Sequence, residues 1–293
     1  MTRKNDDNIN SLCEFLKLEH PECYDFKNRI KKRANDYATE TLLENLANIE
    51  NCNPIKTALI SHNFTSKYTR LHLDSSAGGC KLTDEIYCKL WGWHFTNSTS
   101  RACPKELKTT LKLKQTTDFQ LGSDTMNSFK TIYNKAIEIY EKEGLEHKVY
   151  DNENLQKYAT LTHTIGNFTL IPFQIRFSND YRLKNFNRYR GCNGKIKDTW
   201  DISLNEMKRY FGKEHEKYGK EFFKKYVDTF FLKMYVDENY NVLPLFSRPT
   251  RTLELQENPL PQTLDELNIF LEVANARILQ RSLILLSELN KYH

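Results

Sequence analysis

At 293 residues, 39% hydrophobic and 28% charged, the chain has the make-up of a globular protein long enough to bury a large core. No apolar run reaches membrane-spanning length and no apolar signal core opens the chain, so a cytoplasmic protein with no membrane contact is expected. The net charge of +5 names no partner by its size, but its distribution along the chain does.

Gly and Pro are scarce (10 and 8), which favours long helices over a turn-dense sandwich. Apolar positions at helical spacing predict a helix over residues 26–49, with Lys27, Arg29, Lys31, Lys32 and Arg33 crowding its first half. Residues 51–105, broken by Pro54, Gly78-Gly79, Gly92 and Pro104, read as loops and short pieces, with the apolar stretch around Tyr87 to Phe95 packed inside. Ser123 or Asp124 is placed to cap a helix running to about Glu143 and stopped by Gly144. A further helix begins at Asp201 or Ser203 and ends at Gly212, and another runs from about Gly219 to Tyr235 with a broad aromatic stripe. The segment 239–246 fits an edge strand. The final helix opens on Thr263 with Glu266 and continues almost to the C-terminus, its inner face traced through Ile278, Ser282/Leu283 and Leu286. This pattern predicts an α-dominant α+β fold, a helical body with a small short-stranded sheet near residues 165–172 and 236–246. Residues 1–117 are expected to form an N-terminal helical and irregular region and 118–293 a core with a basic central segment, with one continuous domain as the alternative.

Two features of that central segment stand out. Ile165 to Pro172 reads as a Gly166-Asn167 turn followed by a short strand that Pro172 ends. From Gln174 to Asp198, Arg176, Arg182, Lys184, Arg188, Arg190, Lys195 and Lys197 face only Asp180 and Asp198, an excess of five positive charges. Phe177, Tyr181, Phe186 and Tyr189 interleave with them, and Asn179 adds a neutral donor and acceptor. Guanidinium forks grip phosphate oxygens and aromatic faces stack on bases, so nucleic acid or a nucleotide phosphate suits this mixture. An acidic protein surface is the alternative partner, and a solvated loop with its aromatics tucked into the core is the plain reading.

Other constellations are sparser. There is no Walker loop, G-x-G-x-x-G or G-x-S-x-G. Cys80, Cys88, Cys103 and His94 have spacings foreign to zinc knuckles, and the seven cysteines, with no C-x-x-C pair, read as reduced thiols. Asp198 and Asp201, with Asp228 or Glu206, form a candidate Mg²⁺ set, against the commoner role of such acids as helix caps.

Two resemblances meet in this region. Asp118 to Asp124, Thr164 to Asn167, Arg190-Gly191, Lys195 to Leu204 and Asn275 to Ile278 resemble an uncharacterised bacterial family of unknown activity, which has a TIG(G/N) turn, an Asn-x-Ala-Arg-Gly element and a DRFDLTLECIRRYY-like helix. That resemblance implies fold and boundaries over about residues 118–290. Locally, IGNFTLIP resembles the IGNLTLL stretch in the HNH-type nuclease domain of modification-dependent restriction enzymes. It implies a ββα-metal site in which a histidine activates water and a divalent metal stabilises the leaving oxygen. Gly166 and Asn167 match the turn and Asn179 a downstream asparagine. His147 and His163 are the histidines before it, neither in the family's His-x-x-Pro context. The expected function is thus a nucleic-acid-associated protein of bacterial or phage conflict type, by this resemblance a diverged metal-dependent nuclease. The alternative is a non-catalytic binding or inhibitor protein.

Overall fold

The computed structural model describes residues 9, 11–26, 53–55, 58, 81–92, 119–175, 189–190, 196–197, 199–214, 219–254 and 258–292. The helix expected after Phe26, together with Cys80, His94 and Cys103, lies outside them. The first helix, α1 (Leu12–Leu16), opens on a capping box in which Ser11 and Glu14 satisfy each other's backbone amides. Helix α2 (Lys81–Trp91) replaces part of the loop region expected over 51–105. Its buried Leu82, Ile86, Tyr87 and Trp91 recur at helical spacing, a short pattern masked by the glycines on either side. Gly92, at φ +62°, ends it.

Strand β1 (Phe119–Thr125) occupies the place where a helix start was expected at Ser123. The helix, α3 (Phe129–Lys142), begins only after Ser128, because Ser123 and Asp124 pair in register with Leu170 and Thr169 of β2 (Phe168–Ile175). The antiparallel ladder runs past Pro172 to Ile175, so the proline does not end the strand. It sits opposite Leu121, beside the register shift at Gln120/Leu121, the kind of irregularity at which a residue without an N–H is tolerated. Between α3 and β2 come a 3₁₀ turn over Glu146–Asp151 and helix α4 (Glu153–Leu161), capped by Asn152 through Leu155 N–H at 2.8 Å.

Beyond β2, a two-residue ribbon pairs β3 (Tyr189–Arg190) with β4 (Ile196–Lys197). Helix α5 (Trp200–Glu214) continues past Gly212, and α6 (Gly219–Thr229) lies along it. The helix expected to reach Tyr235 breaks at Phe231, which adopts φ +54° while Leu232 N–H returns to the Val227 carbonyl, a Schellman-type end with phenylalanine in the glycine position. The strand expected over 239–246 reduces to a single Val236–Val242 bridge. Asp237 draws the amides of Asn239 and Asn241 into a tight turn there, with Tyr240 at φ +60°.

The last helix, α7 (Leu264–Asn290), is the spine. Thr263 caps it, while the Glu266 carboxylate reaches the Gln262 amide and Arg248. It packs on α4, α2 and the Ile165–Asn167 turn, and meets the end of α6 near Phe230. Leu283, expected inward, is 53% exposed, and Arg281 points inward instead. The result is an α-dominant α+β fold. Among the described residues, no helix is long and apolar enough to cross a membrane.

Candidate functional site

The Thr164–Asn167 turn lies at the centre of the molecule and is wholly buried. Its geometry follows from two contacts. Gly166 lies so close to α7 that a Cβ would fall on the Ile278 carbonyl oxygen and Ser282 Oγ, and 3.0 Å from the Ile278 carbonyl carbon. Only glycine allows that approach. Into the same junction α7 sends Arg281, fully buried. Its Nη1 donates to the carbonyls of Gly166 at 3.0 Å and Phe168 at 2.6 Å, and its Nε and Nη2 both donate to the Phe230 carbonyl, at 3.0 and 2.9 Å. One guanidinium thereby ties α7 to the turn, to the first residue of β2 and to the open carbonyl end of α6. Burial lowers its pKa to about 10, which leaves it protonated at neutral pH.

Asn167 organises the other side. Its Oδ1 accepts from Asn127 N–H at 3.1 Å, and its Nδ2 donates to the carbonyls of Asn127 at 3.0 Å and Thr162 at 2.8 Å. Its own carbonyl accepts from Met126 N–H at 2.8 Å. Asn127 passes the connection on, since its Oδ1 accepts from Trp200 N–H at 3.3 Å, at the first turn of α5. Nearby, the buried Asp201 receives Leu245 N–H at 2.9 Å and Arg251 Nη2 at 2.6 Å. Arg251 stacks on Phe246, 4.2 Å from its ring centre, and also donates to the carbonyls of Phe246 and Pro259. This buried ion pair fastens Leu245, Phe246 and Pro259 to the start of α5. Tyr235, whose hydroxyl burial pushes up to about 12, packs edge-on to Trp200.

The expected catalytic residues are not presented to solvent as a set. Asn167 spends both Nδ2 hydrogens and its Oδ1 on scaffold backbone groups and is fully buried. His163 is buried with Nδ1 3.6 Å from Asp25, while its carbonyl accepts from Phe26 N–H. His147 is exposed on the 3₁₀ turn before α4. The candidate Mg²⁺ acids are likewise dispersed. Asp201 is committed to Arg251, Glu206 pairs with Arg209, and Asp228 meets Lys233 and Tyr240, while Asp198 lies outside the described residues. No group of His, Cys, Asp or Glu among the described residues is arranged to hold a metal.

Of the basic residues, Arg190 and Lys197 fall in the β3–β4 ribbon, where Arg190 pairs with Ile196 and Tyr189 with Lys197. Arg176, Asn179, Arg182, Lys184, Arg188 and Lys195 lie outside the described residues. The described framework fixes both ends of their segment. Strand β2 leads into it from Asn167 and Arg281, and Trp200 receives it at Asn127. Sequence reasoning missed Arg281, Asn127 and the Asp201–Arg251 pair. The signal for Arg281 was present: a lone arginine on the apolar inner face of a long helix, between Ile278 and Leu285, needs buried acceptors.

A family of unknown function, DUF6994, matches residues 60–283. The chain belongs to this family. The matched span takes in α2 as well as everything from β1 to Leu283 of α7. No curated protein and no solved structure matches the chain.

Proposed function

We propose that this member of the family associates with nucleic acid through the basic, aromatic-rich segment 174–198, held at both ends by a rigid buried frame. The observation that carries the reading is that the segment runs between two points of one polar network: β2, which starts after Asn167 and pairs with β1 as far as Gln174 and Ile175, and Trp200, bonded to Asn127. A binding loop gains affinity when the framework positions it in advance. Its five-charge excess and interleaved rings suit a phosphodiester backbone with unstacked bases.

Binding is favoured over metal-dependent cleavage, the activity implied by the local HNH resemblance. A general base must reach an attacking water, and His163 is buried beside Asp25 while Asn167 is spent on backbone groups. The diverged stretch then serves as framework, within a bacterial or phage conflict protein that binds rather than cuts.

The test is fluorescence anisotropy with single- and double-stranded DNA and RNA across a salt series. Neutralising Arg182, Arg188 and Arg190 together should weaken binding for every sequence and reduce the log–log salt slope by about three, at roughly 0.9 per phosphate contact on duplex DNA. Added Mg²⁺ or Mn²⁺ should produce no cleavage. A parent that fails to bind at low salt, or a triple variant with unchanged affinity, removes nucleic acid from the reading. Binding of an acidic protein instead, lost in the same variant, would assign the segment to the inhibitor class.

A further inference from the structure

Among the described residues, helix α7 carries a second face that is largely exposed, with only Val273 packed in part against the core. Ile269, Val273, Ala276, Gln280, Leu283 and Ser287 follow one another by alternating steps of four and three residues, and a further step of four at either end adds Asp265 and Lys291, so all share one stripe along the helix. Ile269 is 48% and Leu283 53% exposed; Ala276, Gln280 and Ser287 are exposed and Val273 half-buried. The two charged side chains between Val273 and Ser287 are both turned away from the stripe. Arg277 folds back to donate to the carbonyls of Leu243 and Pro244, each at 3.0 Å, and Arg281 is buried on the opposite side. The exposed Leu243 borders the stripe where Arg277 holds it. The outward face thus has the heptad spacing of a helix–helix seam, uncharged through its middle and charged at its ends, negative at Asp265 and positive at Lys291.

We infer that this stripe pairs with the same stripe of a second copy of the chain, the two α7 helices running antiparallel about a twofold axis near Ile278. In that register Ile269 meets the second copy's Ser287, Val273 its Leu283 and Ala276 its Gln280, with the small Ala276 side chain letting the helices approach at the centre. The ends select the direction. Antiparallel pairing sets Asp265 against the second copy's Lys291 at both ends of the seam, whereas parallel pairing sets Asp265 against Asp265 and Lys291 against Lys291. Lys291 is exposed and pairs with Glu288 of its own last turn, so it needs only a rotamer change to reach across. The stripe extends about 40 Å at 1.5 Å per residue, long enough for several turns of helix–helix contact. An isologous contact of this kind closes on itself and leaves no open end for further addition. The inference is independent of the nucleic-acid reading, since the stripe shares no residue with segment 174–198.

Sedimentation velocity on the full chain from about 1 to 100 μM tests it. The parent should sediment as a dimer. Ile269→Glu should weaken the dimer by about 100-fold or more, because the symmetric contact places two unpaired carboxylates in the seam, while leaving the thermal midpoint of an exposed position nearly unchanged. Adding Ser287→Lys to Ile269→Glu should restore the dimer, because each new lysine faces the second copy's new glutamate. Within one chain the two positions are about 27 Å apart, too far to pair. A monomeric parent, or a dimer indifferent to Ile269→Glu, overturns the inference and assigns the face to another occupant. Loss of the dimer without rescue by Ser287→Lys overturns the antiparallel register.

Discussion

Gly166→Ala is the sharpest test of the central junction. A methyl group at this position falls on the Ile278 carbonyl oxygen and on Ser282 Oγ. The serine is a side chain and can turn away, but the carbonyl belongs to the backbone of α7 and cannot move without the helix. Relief therefore requires the turn and α7 to part, which stretches the Arg281 bonds to Gly166 and Phe168, now 3.0 and 2.6 Å. Overpacking a rigid site costs about 1–3 kcal/mol, and weakening two charge-assisted hydrogen bonds adds about 1–2 kcal/mol. A loss of about 2–5 kcal/mol is expected, a large share of a typical stability of about 5–15 kcal/mol. At about 2–4 °C per kcal/mol for a chain of this size, the thermal midpoint should fall by roughly 4–20 °C.

Urea unfolding followed by circular dichroism, with calorimetry for the midpoint, provides the assay. Ser282→Ala is the control. The serine hydroxyl has no hydrogen-bond partner among the described residues, so its removal should change stability by less than about 0.5 kcal/mol. Gly166→Ala within about 0.5 kcal/mol of the parent would refute the close approach, and with it the view that the TIGN turn serves to seat α7.

Arg281→Met should cost about 3–5 kcal/mol in the same assay, since the carbonyls of Phe230, Gly166 and Phe168 lose their shared donor; a loss below about 1 kcal/mol would show that they find other partners. Asp201→Asn should destabilise by about 3–5 kcal/mol by leaving Arg251 buried without its counter-charge, and Asp201→Asn with Arg251→Met should cost less than the sum of the two single changes. Additive losses would deny the coupling. Alkaline pH should unfold the protein. Burial pushes the Tyr235 hydroxyl up to about 12 and that of Tyr226 higher, whereas both ionise near 10 when unfolded, so the folded chain holds more protons above pH 10. Their contribution is intact below about pH 10 and is lost as pH rises towards 12. Tyrosinate absorbance at 295 nm should therefore develop partly in step with loss of circular dichroism; complete titration near pH 10 with the fold intact would refute it.

Periodic features were legible and cooperative ones were not. The long C-terminal helix, its Thr263 cap and the helix ended by Gly144 follow from local spacing and capping chemistry. The start of α3 was misplaced because Ser123 and Asp124 have good capping side chains, but their backbones are already committed to β2, a partner distant in sequence. The break after α6 was hidden because Phe231 is an improbable residue for positive φ, and the Arg281 contact to Phe230 that secures this end comes from another helix. Leu283 and Arg281 exchanged their expected roles for a related reason. Hydrophobicity alone assigns the leucine inward, whereas three carbonyl groups left open by a helix end and a tight turn create a demand for a buried guanidinium.

That demand bears on how the recognisable residues are to be read. Gly166, Asn167, Asp201 and Arg281 all do their work inside the molecule: Gly166 allows the close approach of α7, and the other three close backbone groups that would otherwise be buried without partners. A residue spent in this way can appear in a motif shared with enzymes without contributing to their chemistry, because the motif specifies a turn geometry first. The asparagine in Ile165-Gly-Asn-Phe168 bridges residues on both sides of the turn and holds Met126 and Asn127 at the end of β1. A nuclease needs the same turn to present its metal site, and a binding protein needs it to hold a loop. The side chains that differ between those uses lie in the segment the turn supports. On the reading proposed above, the polar network around Asn167 is the fixture, and segment 174–198, with its arginines and rings, is the part that would meet nucleic acid.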